Sequence, residues 1–361
     1  MTKAISQILA PDNLIGIIQT VANGIPADIL PAGLFVVTER FTGNQGRYNK
    51  VAGTQQAATI TNYGSPAQVV NKWGIGTIPV TLLHSFESIN FDPQDLANLL
   101  AEDSPIRQAM GRQTVERNLA NFGTRLRNLK ISSVHSTLAT GRIYFDAAGN
   151  LLPKSTGATF SLDFGVSANH RKQLAGIIGA SWATATTDIP QHLEALQADA
   201  LQTTGKAIRH AFYGKAVPGL LALNNYVSTL YLNPVLSQQR AASTNPIPNG
   251  LFGLDWHPGN SAFYRDQNND VQSWFPSDQI VFTPEPDGEW WGFLEGSYVI
   301  PNSIQLAGDG IAALSQFSEV QGDFGFASVS INPPGVTQYG GSTFLPVLKN
   351  PDAIYIADVV P

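Results

Sequence analysis

Between Ser273 and Gly296 the sequence reads SWFPSDQIVFTPEPDGEWWGFLEG, with three tryptophans, three prolines and five carboxylates in 24 residues. Glu285, Asp287 and Glu289 stand at alternate positions beside Trp290 and Trp291. Paired carboxylates against aromatic platforms are what hydrolysis of a glycosidic bond needs. Asp287-Gly288 is also a strong signal for a two-residue hairpin turn, which would set Glu285 opposite Trp290. A working general acid needs shelter that raises its pKa, and a hairpin tip is the wettest place on a sheet. Catalysis is therefore the weaker reading. Successive strand residues point to opposite faces, so one tryptophan belongs to the core and the other needs a cover, either a sugar or a neighbouring chain.

Other chemistry is hard to place. WGIGTIPV carries a Gly-x-Gly with no third glycine and no helix after it, so it is not a nucleotide fingerprint. TTGKAIRH has Gly205-Lys206, but Ala207 stands where a phosphate loop needs a hydroxyl and Ala200 where it needs glycine. No Ser-His-Asp order or nucleophile elbow can be defended. The six histidines (84, 135, 170, 192, 210 and 257) never fall three to five residues apart, and there is no cysteine. Neither a metal site of local spacing nor any thiol chemistry is expected, and no cofactor is implied.

Composition points the same way. The chain has 361 residues, 43% of them apolar, which suffices for a core, but only 13% are charged while Gly (33) and Pro (23) are abundant. A surface so poor in charge suits a protein largely covered by other chains. The net charge of −6 argues against a dedicated nucleic-acid binder. The first residues are broken by Pro11, Pro26 and Pro31 and lack a leader pattern, and no window is apolar enough to cross a membrane. A cytoplasmic product is expected.

The elements that must position any site follow from the patterning. Residues 1–34 read as an arm of short helical pieces between prolines. From Leu34 to Leu83, β-prone runs flank a Gly/Gln/Asn-rich middle, and Thr42 to Thr77 holds too few large apolar residues for a core. Such a ribbon is marginal alone, so its partner surface is expected on another molecule. FDPQDLANLL reads as a capped helix start. A long helix then runs from Ser104-Pro105 to about Thr140, with Ile106, Met110, Val115, Leu119, Phe122, Leu126 and Leu129 as its buried stripe. Its other face sets Arg107, Arg112, Arg117, Arg125, Arg127 and Lys130 against Glu116 alone, as if towards something anionic, although a solvated face is an equal reading. RIYFDAAGN and ATFSLDFGV follow as strands with a turn at Asp146–Asn150. A second amphipathic helix is expected over Pro190–Lys206, burying Leu193, Leu196, Ala200 and Leu201, and a short one near Gly219–Val227. Residues 239–262 read as a loop, and FLPVLKNPDAIYIADVV as two buried strands around a Lys-Asn-Pro-Asp turn.

In that order, with LDFG, SWATATTDIPQHLEALQADALQTTG and WFPSDQIVF between them, these elements resemble the major capsid proteins of lambda-type tailed phages, the phage capsid protein E family. The resemblance covers most of the chain from Leu34 onward. It implies an α+β fold of the Hong Kong 97 type. Residues 1–34 become the N-terminal arm and 35–83 the extended loop over an adjacent subunit. Residues 84–189 become the peripheral domain, with its spine helix at 104–140. Residues 190–330 become the axial domain, and 331–361 return as C-terminal strands that, with 141–166, complete the peripheral sheet. By the same resemblance the chain is no enzyme but a head protein, assembled in the host cytoplasm as hexamers and pentamers into an icosahedral virion shell around double-stranded DNA. Arg47, Lys50, Lys72 and Trp73 would belong to the intersubunit ribbon. Arg112, Arg117, Arg125 and Arg127 would face DNA by non-specific contact. Scaffold, portal and decoration proteins are implied partners; a membrane is not. The loop at 239–262 and the stretch 283–296 have no match in the family pattern. Some shells of this fold join a loop lysine to an asparagine, but the lambda-type branch does not imply such bonds for Lys50 or Lys72. Two other readings stand beside this one. One is a carbohydrate-binding or carbohydrate-active β-rich protein using Trp290 and Trp291. The other is a different phage structural part, which would more often be all-β.

Overall fold

The computed structural model describes residues 10–26, 29–51, 75–91, 97–98, 104–173, 180–231, 246–248, 250–259, 264–265, 271–272, 275–301, 305–306, 317–331 and 334–360. The first helix, α1 (Pro11–Ala22), starts on a proline and buries Leu14, Ile18 and Ala22 at a spacing of four. Strands β1 (Val37–Phe41), β2 (Gln45–Val51), β3 (Ile75–Thr81) and β4 (Leu83–Phe91) follow, then the long helix α2 (Pro105–Thr140). The next strands are β5 (Arg142–Phe145), β6 (Leu151–Leu152), β7 (Phe160–Asp163) and β8 (Arg171–Gln173). Then come α3 (Ile189–Thr204), β9 (Ile208–Tyr213), α4 (Val217–Leu223), α5 (Asn225–Tyr231) and β10 (Asp255–Pro258). Two short strands, β11 (Tyr264–Arg265) and β12 (Val271–Gln272), precede β13 (Gln279–Pro284), β14 (Trp291–Pro301) and β15 (Gln305–Leu306). The chain closes with β16 (Phe317–Gln321), β17 (Asp323–Ile331), β18 (Pro334–Leu348) and β19 (Tyr355–Asp358).

Seven of these strands make the larger sheet, organised on β18. Along one edge β18 pairs with β17, from Asp323↔Ser342 to Ile331↔Pro334. Along the other it pairs first with β4 and then with β14, while β1 lies parallel to β14. One face of this sheet is closed by helices: Leu14 and Ile18 of α1 and Val115, Leu119, Phe122 and Leu126 of α2 share a core with Ala327, Val336 and Phe91. The expected stripe on α2 thus holds from Val115 onward. Ile106 and Met110 are 76% and 58% exposed, because the cover begins one turn later. From Lys130 to Ala139 the helix is buried on every side, polar residues included.

That second half of α2 is buried because it meets another layer. The smaller sheet has the order β10-β9-β13-β19-β8. Alternation splits its side chains between two cores. Ala211, Tyr213, Ile280, Phe282, Tyr355 and Ala357 pack under α3, whereas Phe212, Val281 and Ile356 join Ile131, Val134 and Leu138 of α2. α2 therefore spans both sheets. On α3, Leu193, Leu196 and Ala200 are buried as expected, but Leu201 is exposed.

Several expectations are redrawn. The strands around Asp146–Asn150 do flank a turn, its carboxylate accepting from the amides of Ala148 and Asn150, but they form a three-stranded sheet of their own, β6-β5-β7, rather than extending the larger one. The two C-terminal strands part at the Asn350-Pro351 turn, β18 into the larger sheet and β19 into the smaller one beside β13. The short helix near Gly219–Val227 is two helices broken at buried Asn224, whose Oδ1 accepts from the amides of Tyr226 and Val227. β10 lies inside the stretch read as loop, and FDPQDLANLL falls mostly outside the described residues. The hairpin at 283–296 does not form. Both edges of β13 are taken, by β9 and β19, and those of β14 by β18 and β1, so residues 285–290 carry the chain from one sheet to the other. Asp287 closes that link by accepting from the amides of Glu289 and Trp290, a local bond that competes with the hairpin turn.

Candidate interaction surfaces

Trp290 and Trp291 are 0% and 1% exposed. The Trp291 indole donates to the Leu34 carbonyl at 2.8 Å and that of Trp290 to the Glu285 carbonyl at 2.9 Å. The cover expected from a sugar or a neighbour is supplied by this chain's own segment around Leu30 and Leu34. The neighbouring acids are engaged too: Asp287 and Glu289 with Lys206 Nζ, and Glu285 with His210 Nε2 at 3.1 Å. No aromatic platform is open beside them among the described residues, and the structure gives the carbohydrate reading no support.

The basic face of α2 separates into engaged and open cations. Lys130 is buried, with Nζ 2.8 Å from Asp323 Oδ2 and 3.1 Å from Asn23 Oδ1. Arg125 grips Glu87 of β4 through two bonds of 2.6 and 2.7 Å, yet remains exposed. Arg127 donates to the Gly24 carbonyl at 3.4 Å, and Arg107 to Asn98 Oδ1 at 3.3 Å. Arg112 is half-buried and Arg117 exposed.

The ribbon is a separate two-stranded sheet of β2 and β3, in register from Gln45↔Thr81 to Val51↔Ile75. Its root is anchored in this chain: Tyr48, Val80 and Leu82 are buried, and the Tyr48 and Phe164 rings are 6.5 Å apart. Arg47 is exposed and Lys50 half-buried. Lys72 and Trp73 lie outside the described residues.

One surface escaped the sequence reading. On the larger sheet, the face opposite the helices carries His84, Phe86, Tyr298, Phe324, Phe326 and Tyr339, their rings 4.3 to 6.2 Å from one another in neighbouring pairs. Phe86 is 43% exposed. Gly341 lies between Ser85 and Phe324, and a side chain there would strike the Phe324 ring. The rows beyond add Ser88, Asn90, Thr337 and Ser328, so this part of the face holds no carboxylate, lysine or arginine. Burial lowers the His84 pKa, which favours its uncharged form. The signal was present as alternation in HSFESIN, but the strands that complete the face come more than 200 residues later.

Among the described residues no group of three or more His, Asp or Glu side chains could hold a metal ion, and no helix is long and apolar enough to cross a membrane. What the surfaces offer is contact with other macromolecules. The model of phage major capsid protein E matches residues 25–307 of the chain. The chain belongs to that family. It is a tailed-phage major capsid protein, a structural subunit of the virion that assembles with copies of itself.

Its structure is similar to that of an Escherichia coli CFT073 protein described as a prophage capsid protein, at 13% identity and a TM-score of 0.54, over 97% of this chain and 99% of the other. A phage-related protein of Bordetella bronchiseptica RB50 aligns at 12% identity and a TM-score of 0.48, over 95% and 96%. The fold is thus the α+β fold of Hong Kong 97-type capsid proteins. No curated protein matches the sequence.

Proposed function

We propose that copies of this chain close an icosahedral shell of hexamers and pentamers around double-stranded DNA. In this shell the tip of each ribbon rests on the neutral aromatic face of a neighbour. The observation that carries the contact is a match in chemistry. Residues 52–74 contain one charged side chain, Lys72, among amides, hydroxyls, Tyr63 and Trp73, and the aromatic face carries no carboxylate, lysine or arginine among its described residues. A surface of this kind accepts apolar and hydrogen-bonding partners and repels none by charge. Arg47, Lys50, Lys72 and Trp73 belong to that interface.

The arginines of α2 face the packaged DNA, the exposed Arg117 and Arg125 with the half-buried Arg112 and Arg127 beside them. Contacts of this type neutralise phosphates without reading sequence. The seven-stranded sheet with α1 and α2 serves as the peripheral part of the subunit, and the smaller sheet with α3 as the axial part; this moves β14 to β17 out of the stretch 190–330 expected to be axial. Assembly takes place in the host cytoplasm, with scaffold, portal and decoration proteins as further partners. The subunit has no reaction of its own.

A photo-crosslinking phenylalanine analogue at Phe86 tests the central contact. In assembled shells it should capture a peptide from residues 52–74 of another copy, identified by mass spectrometry. Adducts only within one copy, or only with other regions, refute it.

A further inference from the structure

We propose that the seam between α2 and the five-stranded sheet is an acid-operated release, in which a file of three imidazoles, His210, His257 and His135, keeps the layers joined only while uncharged. The placement follows from strand alternation. His210 and Phe212 share the face of β9 that looks towards α2, and His257 on the adjacent parallel strand β10 lies against both, its ring 5.2 Å from His210 and 5.1 Å from Phe212. His135 comes from α2 itself and sets its ring at right angles to Phe275, 5.4 Å away. The file is continuous. Glu285 Oε2 meets His210 Nε2 at 3.1 Å, and His210 Nδ1 meets His257 Nε2 at 3.1 Å. His135, whose charged form His257 opposes, is fully buried, with no hydrogen-bond partner at either ring nitrogen among the described residues.

The charge environment decides what acid does here. Glu285 stands at the solvent end, and Asp255 and Arg209 act on His210 from their own strands with opposite effects. The α2 segment that closes the seam, Ile131 to Ala139, has no charged residue and only His135 to titrate. From β13 the residue opposite His210 is Thr283; Gln279 and the partly buried Asp358 beside it lie four residues further along that strand. A proton can be shared once between His210 and His257. When both rings are charged, two N–H donors face each other and His257 adds a charge that acts on His135, with no carboxylate inside the seam among the described residues to receive it.

The direction of the pH response follows. Burial, with a smaller contribution from His257, holds His135 down to about pH 3 from an ordinary value of 6.5. Burial also lowers His210, with Glu285 opposing it. The closed seam therefore binds fewer protons than the open one. Closure is fully favoured above the ordinary histidine value and is lost progressively as pH falls below it. Glu285 stabilises the charged form of His210 in the closed state and so delays opening.

Hydrogen–deuterium exchange on the full chain, corrected for intrinsic rates at each pH, reads this directly. Between about pH 7 and 4, protection of peptides spanning residues 130–140 and 208–213 should fall about tenfold or more, while that of residues 323–348 persists. His135→Phe removes the ring that must stay uncharged and should lower the opening midpoint by about one pH unit. Glu285→Gln, on the surface and harmless to packing, should raise it by a smaller amount. A structural role alone would give shifts of one sign. A midpoint shared by all three chains, or loss of both sheets at the same pH, overturns the proposal. Should His135→Phe not fold, an unmoved midpoint in Glu285→Gln does so alone.

Discussion

Lys130 stands three residues after Arg127 on α2, yet Arg127 remains at the surface and Lys130 lies buried between helix and sheet, its Nζ shared by Asp323 and Asn23. In sequence both belong to one basic face. The difference comes from Asp323, 193 residues away, which no local pattern connects to the helix. A buried pair of this kind contributes little against an apolar replacement, but losing one partner strands the other charge. Lys130→Ala should therefore cost about 3–5 kcal/mol in denaturant unfolding of the subunit, and Asp323→Ala about as much. Lys130→Met combined with Asp323→Leu should recover most of that loss. If the double variant is as unstable as the sum of the singles, the two side chains are not coupled. The two tryptophans teach the same lesson. Their need for a cover was legible from alternation, but the identity of the cover, Leu34 of the same chain, depended on a segment 257 residues earlier.

At the scale of elements, α2 was the most legible part of the chain. Ser104-Pro105 opens it, and Gly141, at φ 63°, ends it in the left-handed conformation that glycine adopts without cost. What could not be read was which arginines on its polar face are occupied, because β4 and the C-terminus of α1 supply their partners. This divides the helix into two tests. Arg125→Glu sets two carboxylates together where Arg125 now grips Glu87. It should lower subunit stability by about 1 kcal/mol, within the range for exposed pairs. Arg117→Glu touches no ion pair among the described residues and should leave unfolding unchanged, while shells built from it retain less DNA as salt is raised. Normal DNA retention in Arg117→Glu shells would remove this face from the lumen. The strand pair at 283–296 was misread for a related reason. Asp-Gly reports a turn faithfully, but not whether the strands on either side pair with each other. Here each found better-matched partners from far along the chain: Phe344–Leu348 for β14, and β9 and β19 for β13.

At the scale of the whole molecule, the proposed shell contact would link the chain's low charge to its assembly through the ribbon. Its existence was visible as β-prone ends around an amide-rich middle, and its root was not, because Tyr48 finds its place only against Phe164. Anchoring the root makes the tip separable. The last β2–β3 pair among the described residues is Val51↔Ile75, and two residues suffice to close an antiparallel pair there. Replacing residues 52–74 by Asn-Gly should therefore leave the buried residues Tyr48, Val80 and Leu82 in place. The subunit should keep its unfolding free energy within about 1 kcal/mol, since every described strand of both large sheets is kept. Shell formation, by contrast, sums many weak contacts between copies, and in the proposed arrangement each ribbon tip contributes one. Removing every tip at once multiplies a modest loss per subunit across the whole assembly. Electron microscopy of the shortened chain should show dispersed, folded subunits and no closed particles. Closed shells of normal size would mean that the neutral aromatic face is covered by something other than the ribbon.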